Sequence, residues 1–219
     1  MEGGDQLSVH KNYQVALDLA KAQFQKSDPV KLARASGAKV LKHAGEGVRL
    51  GLVFMGWPVE IAWPEGEVGY AETVSGEVSV WHQILVLHYL VNAKPADPSG
   101  KLITFRQLEG GEVYYPTFQK RASLRLLHTF GEFPERLQVV GEEIGGSPGG
   151  IGDASICIRA FPKVPITLAI WKGDQEFPPE CNIVFDATIS TFLSTEDVVV
   201  LCQETVSRLV KLAKVRWPS

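Results

Sequence analysis

Acidic chemistry is concentrated in the segment Trp171-Lys172-Gly173-Asp174-Gln175-Glu176-Phe177-Pro178-Pro179, with Asn182 and Asp186 shortly beyond it. If Asp174, Glu176 and Asp186 converge at one end of a sheet, their carboxylates can bind a cation, accept a ligand's hydrogen bonds or work as acid and base. The same residues equally suit a charged, proline-stiffened hairpin loop in which Asp174 forms an Asx-turn. Arg106, Arg121 and Arg159 supply forked donors for an anion, and Tyr114 and Tyr115 stand between the first two. Pairing with Glu109, Glu112 or the acidic loop would occupy these arginines just as well.

Two histidines, His82 and His88, fall six apart on one expected helix. At 3.6 residues per turn they are separated by about 240°, so they cannot chelate one ion together. The chain has no H-E-x-x-H, no C-x-x-C and no C-x-x-C-H, so a zinc centre, an iron–sulfur cluster and covalently attached haem all lack their usual local ligands. His88 stands as a lone axial ligand for a tetrapyrrole, or as a hydrogen-bonded core histidine. Gly145-Gly146-Ser147-Pro148-Gly149 matches G-x-S-x-G, but a helix precedes it and a strand follows, the reverse of a nucleophile elbow. No histidine occurs after His128 to complete a triad, so the segment reads as a connecting loop. The same glycines could form an anion nest, but with no G-x-x-x-x-G-K-[ST] and no helix N-terminus following, a connector between helix and strand is the better reading.

The elements that must position these residues follow from periodicity and punctuation. Tyr13, Leu17, Ala20 and Phe24 recur at helical spacing. Asp28 suits an N-cap, Pro29 the first helical position and Gly37 the left-handed position that ends a short second helix. Leu50–Met55, Val59–Trp63 and Val68–Ala71 read as an antiparallel meander, and Ser79–Asn92 as a largely buried helix. Leu102–Phe105 suggests a short strand. Phe118, Ala122, Leu126 and Thr129 give a weaker helical pattern ending at Gly131, and Pro134 opens another that stops at Gly145. Strands are expected over Ala154–Ala160, Ile166–Trp171 and Asn182–Asp186, the first two linked by Phe161–Pro165. Ser194 and Asp197 form a capping-box start to a closing helix. Runs of strands without strict β-α-β alternation predict an α+β class, with helices packed on an antiparallel or mixed sheet.

The chain has 219 residues, 45% of them hydrophobic, enough for a sizeable core in one domain over residues 13–219, with residues 1–12 loosely held. Ala93–Lys101 and Gly145–Gly152 are too short to be more than long loops. A formal charge of −3 argues against nucleic acid as a partner. Cys157, Cys181 and Cys202 are odd in number and widely spaced, which points to a reducing compartment and the cytoplasm. The polar, acidic start is unlike a signal peptide, and the longest apolar stretch, Ile84–Val91, falls far short of the ~20 residues that span a bilayer.

Taken together, Gln83–Leu90, Phe105–Gly111, Trp171–Pro179, Asn182–Ile189 and Thr195–Val198 resemble, in order, blocks of a prokaryotic family known as a domain of unknown function, DUF3786. The resemblance implies a setting in anaerobic bacteria and archaea, where some members carry a cysteine-rich iron–sulfur segment like that of corrinoid methyl-transfer proteins. This chain has neither that segment nor the D-x-H-x-x-G pattern of corrinoid-binding domains. The expected function is a small-molecule or cofactor-binding protein, with a tetrapyrrole or corrinoid as the cofactor class. In it His88 ligates or orients the ligand, Arg106 holds an acid group, and Asp174, Glu176 and Asp186 fix polar atoms. Two alternatives stay open. One is an enzyme using the three carboxylates for acid/base or metal-assisted chemistry. The other is a scaffold for protein partners or further copies of the chain, which predicts a large exposed apolar patch.

Overall fold

The computed structural model describes residues 3–42 and 47–218, with side chains from Tyr13 to Leu41 and from Gly47 to Pro218. The chain divides into two compact units, Met1–Ala96 and Asp97–Ser219. The division falls inside the proline-bearing stretch 93–101. The class is α+β, with helices and two antiparallel sheets.

In the first unit, helices α1 (Gly3–Gln25) and α2 (Pro29–Ser36) precede strands β1 (Lys39–Lys42), β2 (Val48–Phe54), β3 (Trp57–Trp63) and β4 (Glu67–Tyr70), and α3 (Val80–Asn92) ends it. α1 begins inside the segment 1–12 that the sequence suggests is loosely held; residues 1 and 2, and the side chains through 12, lie outside the described residues. Local chemistry explains the boundaries of α2. The Asp28 side chain accepts from the Val30 and Lys31 amides, Pro29 lies in the first turn, and Gly37 closes the helix at φ 78°. The four strands form a meander in sequence order, with Leu50, Phe54, Val59 and Ile61 turned into the core. Strand β1 carries no clear sequence signal, because its two lysines hide an alternation only four residues long. α3 packs on α1 and buries Ile84, Leu85, Val86, Leu87, Tyr89 and Leu90, and the Tyr89 hydroxyl donates to the Ser36 carbonyl.

The second unit contains β5 (Leu102–Thr104), α4 (Gly111–Phe118), α5 (Leu124–Phe130), α6 (Glu135–Glu143), β6 (Ser147–Pro148), β7 (Ala154–Phe161), β8 (Val164–Trp171), β9 (Glu180–Asp186) and α7 (Thr195–Arg216). Its sheet has the order β5-β9-β8-β7-β6, antiparallel throughout. The β7–β8 hairpin turns at Pro162-Lys163, tighter than the five-residue link the sequence suggests. The G-x-S-x-G segment is a connector, as expected, and its exposed Ser147 and Pro148 form the two-residue β6. Ser194 and Asp197 make both halves of the capping box at the start of α7.

The weak periodicity after Gly110 has a specific cause. The helix starts at Gly111, seven residues before the expected pattern. It carries Pro116 inside its first stretch, then widens into a π-turn over Gln119–Ser123 before continuing as α5. Phe118, Ala122, Leu126 and Phe130 are all buried, and they recur every four residues rather than at the mean of 3.6. A π-turn, which adds a residue to one turn, keeps such a series on one face. Among the described residues no helix is long and apolar enough to cross a membrane.

Candidate functional site

The acidic loop between β8 and β9 is a built turn. Asp174 accepts hydrogen bonds from the Glu176 and Phe177 amides, both 2.8 Å, and its own amide donates to the Phe177 carbonyl at 2.9 Å. Those two amides hold the Asp174 carboxyl below its ordinary value. A Cβ at Gly173 would lie 2.6 Å from the Pro179 nitrogen and 2.9 Å from the Phe177 oxygen, so the loop closes on itself where only glycine fits. This is the Asx-turn arrangement.

Asp186 ends β9, six residues after its first residue, Glu180, whereas the 172–179 loop lies before it. At about 3.3 Å per residue that separates Asp186 from the loop by about 20 Å. The convergence of Asp174, Glu176 and Asp186 at one sheet end is therefore not realised, because the strand runs between them. Asp186 is 3% exposed and accepts five hydrogen bonds: from the Ser99 amide and hydroxyl (both 3.0 Å), the Gly100 amide (2.6 Å), and the Thr188 amide (2.9 Å) and hydroxyl (2.7 Å). Burial pushes its carboxyl up, but the donors from Ser99, Thr188 and Gly100 outweigh it and hold the group at about 2. Asp186 thus ties the chain ahead of β5 to the end of β9 and caps the turn at Ala187–Thr191.

Among the described residues no three of His, Cys, Asp and Glu gather where they could hold a metal ion. His88 is half-buried on α3 of the first unit, whereas the other four candidate residues belong to the second. His82, on the same helix, is buried against the rings of Phe54 and Trp57, with centroids 5.1 and 5.9 Å away.

Arg106 is positioned by packing and by a cap. It sits in the one-turn 3-10 helix Phe105–Gln107, where the Thr104 amide donates to the Gln107 side chain at 2.8 Å. Phe105 stacks on Phe118 at 4.1 Å. A Cβ at Gly111 would lie 2.2 Å from the Phe105 carbonyl, so the start of α4 is pressed directly onto this turn. The Arg106 guanidinium lies 3.9 Å above the Tyr115 ring centre and 3.0 Å from Glu112 Oε2. It stays half-exposed and opens onto a cleft of about 370 Å³.

That cleft draws its walls from separate elements: Thr104 and Arg106, Tyr115 of α4, Gln119 and Ser123 of the π-turn, and Pro179 to Asn182 at the start of β9. The Cys181 thiol donates to the Ser123 carbonyl at 3.2 Å. Burial pushes it up to about 11; the Leu127 backbone opposes that and Glu180 adds to it, so the sulfur is a protonated wall group and not a nucleophile at neutral pH. A second cleft, of about 420 Å³, is lined by Gly131, Glu132 and the 172–179 loop itself, and the two meet at Pro179. Arg106, Asp174 and Glu176 thus line neighbouring clefts, the arginine in one and the carboxylates in the other. Gln119 and Ser123 carry no motif; their only trace in the sequence is the broken helical spacing around them.

The family model described as Domain of unknown function (DUF3786) matches residues 28–208, from the cap of α2 into α7, a span that includes both sheets and every wall of the Arg106 cleft. No curated protein and no solved structure matches the chain.

Proposed function

We propose a function for a chain that belongs to the DUF3786 family: it binds a small ligand bearing an acidic group, in the cleft between the start of β9 and the α4–α5 helix. The observation that carries this reading is the placement of Arg106. Its guanidinium is fixed over Tyr115 at the mouth of a preformed cleft whose volume lies within the ~300–1,000 Å³ usual for small-molecule sites. The Glu112 pair does not compete strongly. Both side chains are more than half exposed, and such surface pairs contribute about 0–1 kcal/mol, so a ligand carboxylate can displace Glu112 at small cost. Tyr115 contributes a stacking face, and Gln119 and Asn182 contribute amide groups that fix orientation.

A tetrapyrrole or corrinoid does not fit this cleft. Its walls offer no imidazole, and their one thiol is hydrogen-bonded and protonated. His88, the candidate axial ligand, does not line it. A cytoplasmic setting is supported by three thiols that form no disulfide.

Thermal shifts test this reading, with benzoate, 4-hydroxybenzoate and indole-3-acetate as probes and cobalamin as the corrinoid control. A ligand present at a hundred times its Kd stabilises by about 2.7 kcal/mol, roughly 5–10 °C for a chain of this size. The expected result is a carboxylate that raises the Tm of the native protein and leaves Arg106→Gln unmoved. Equal shifts in both proteins would remove Arg106 from the site.

A further inference from the structure

Strand β9 has two sides, and they are unequally covered. Along one, β8 pairs with it from Glu180 to Phe185. Along the other, β5 pairs only with Val184, Phe185 and Asp186, and after Thr104 the chain leaves the sheet for the 3-10 turn that carries Arg106. Among the described residues no strand lies beside Glu180–Ile183 on that side.

The direction of the backbone groups there follows from the ladder. In antiparallel pairing each residue points its N–H and C=O to the same side, and successive residues alternate. The Ala187 amide donates to the Lys101 carbonyl at 2.8 Å, so residue 187 points to the β5 side. Residues 185, 183 and 181 point the same way. The opposite end of the sheet agrees: the Gly149 amide donates to the Ser155 carbonyl, and counting across β7 and β8 by their registers turns Asn182 and Val184 toward β8. The amide and carbonyl of Cys181 therefore face the open side, where Cys181 and Asn182 form a wall of the Arg106 cleft.

We propose that the ligand of this cleft is an extended peptide that adds itself to the sheet beside Glu180–Asn182 and delivers its C-terminal carboxylate to Arg106. This rests on the cleft being the binding site. A bare strand edge offers alternating donors and acceptors that a peptide backbone matches and most small acids do not. Charge gives the direction. Arg106 lies at the Thr104 end of the open stretch, so the peptide runs parallel to β9, from Pro179 toward Arg106. Ile183 is buried, so the three residues Glu180–Asn182 line the cleft and span about 10 Å, which sets the paired length at about three residues.

The test uses the full chain labelled with ¹⁵N, and N-acetylated tetrapeptides with a free C-terminal carboxylate, randomised in sequence. The tightest binder is resynthesised with each amide N-methylated in turn and with an amidated C-terminus. The expected result is a shift and slowed exchange of the Cys181 amide, and roughly tenfold weaker binding when the facing peptide amide is methylated, as for a lost hydrogen bond. Amidation should weaken binding to the native protein and not to Arg106→Gln. If benzoate or indole-3-acetate perturbs the cleft while every tetrapeptide leaves the Cys181 amide unmoved, the peptide proposal is overturned and the binding site stands. A tetrapeptide that binds there but tolerates every methylation also overturns it. If neither class of probe moves the cleft residues, both proposals are overturned.

Discussion

Asp186 shows how one residue's surroundings decide between catalysis and architecture. A carboxylate that accepts five hydrogen bonds has its lone pairs committed, and its depressed pKa states how strongly the fold prefers the anion. Because the folded value lies below the ordinary one, near 4, this stabilisation is fully present above about pH 4. It is lost as pH falls through the folded value near 2, and amounts to roughly 2 kcal/mol. Asp186→Asn is expected to cost roughly 2–4 kcal/mol at neutral pH, read from urea midpoints, because it leaves buried donors facing an amide. The variant should also lose most of the acid dependence between pH 4 and pH 2. An unchanged acid limb would mean that other carboxylates carry it. Gly111→Ala acts on the other side of the site. Its methyl would collide with the Phe105 carbonyl, so the variant is expected to lose at least 1–3 kcal/mol and to weaken carboxylate binding by moving Arg106. Full stability and full binding together would show that the turn has room to give.

At the scale of elements, the α4–α5 helix is the feature that makes a cleft instead of a flush contact. Its π-turn brings Gln119 and Ser123 to the wall, and the buried series Phe118, Ala122, Leu126 and Phe130 needs that extra residue to stay on one face. Deleting Lys120, which is exposed, converts the turn toward ordinary α spacing. The expected outcome is retained helicity by circular dichroism with loss of ligand-induced thermal shifts; retained binding would detach the site from the π-turn. Ser194→Ala removes one half of a cap and should lower stability by about 1 kcal/mol without touching binding. These two elements also mark what a sequence can convey. The Asp28, Pro29 and Gly37 signals around α2 and the Ser194 and Asp197 box could be read directly, because each acts within a few residues. The start of α4 could not, since Gly110-Gly111 and Pro116 look like breakers. Gly111 is there because the Phe105 carbonyl leaves no space for a side chain, a contact that periodicity does not encode.

At the scale of the whole chain, the two antiparallel sheets agree with the α+β class expected from runs of strands, and the length of β9 is what dispersed the carboxylates. Asp174, Glu176 and Asp186 lie within thirteen positions of one another, and closeness in sequence suggested closeness in space. A seven-residue strand placed between them keeps them apart. Arg106 reaches the start of β9 from more than seventy positions away because β5 pairs with the end of that strand, a long-range register that no local signal carries. The stretch between the two units also has a testable asymmetry. Residues 94 and 95 are exposed and outside regular structure, whereas Ser99 and Gly100 are held by Asp186. Within residues 93–101, brief digestion with a nonspecific protease should cut between Ala93 and Pro98 before it cuts at Ser99 or Gly100, as mapped by mass spectrometry; the reverse order would show that the tether is loose.

The Asp186 tether has one more consequence, at the sheet edge. Strand β5 is three residues long, and the chain leading into it is fastened to β9 by the Asp186 carboxylate and by the Ala187 amide on the Lys101 carbonyl. Once that carboxylate is protonated, below about pH 2, its five hydrogen bonds weaken and one backbone hydrogen bond is left to hold the chain ahead of β5, which favours peeling of that short strand. The edge without a β5 partner then extends to all seven residues of β9, including Ile183, Val184 and Phe185. An exposed edge of that length is a template for other chains, so strong acid should drive this protein into aggregates with intermolecular strand pairing before it drives it to a dispersed unfolded chain.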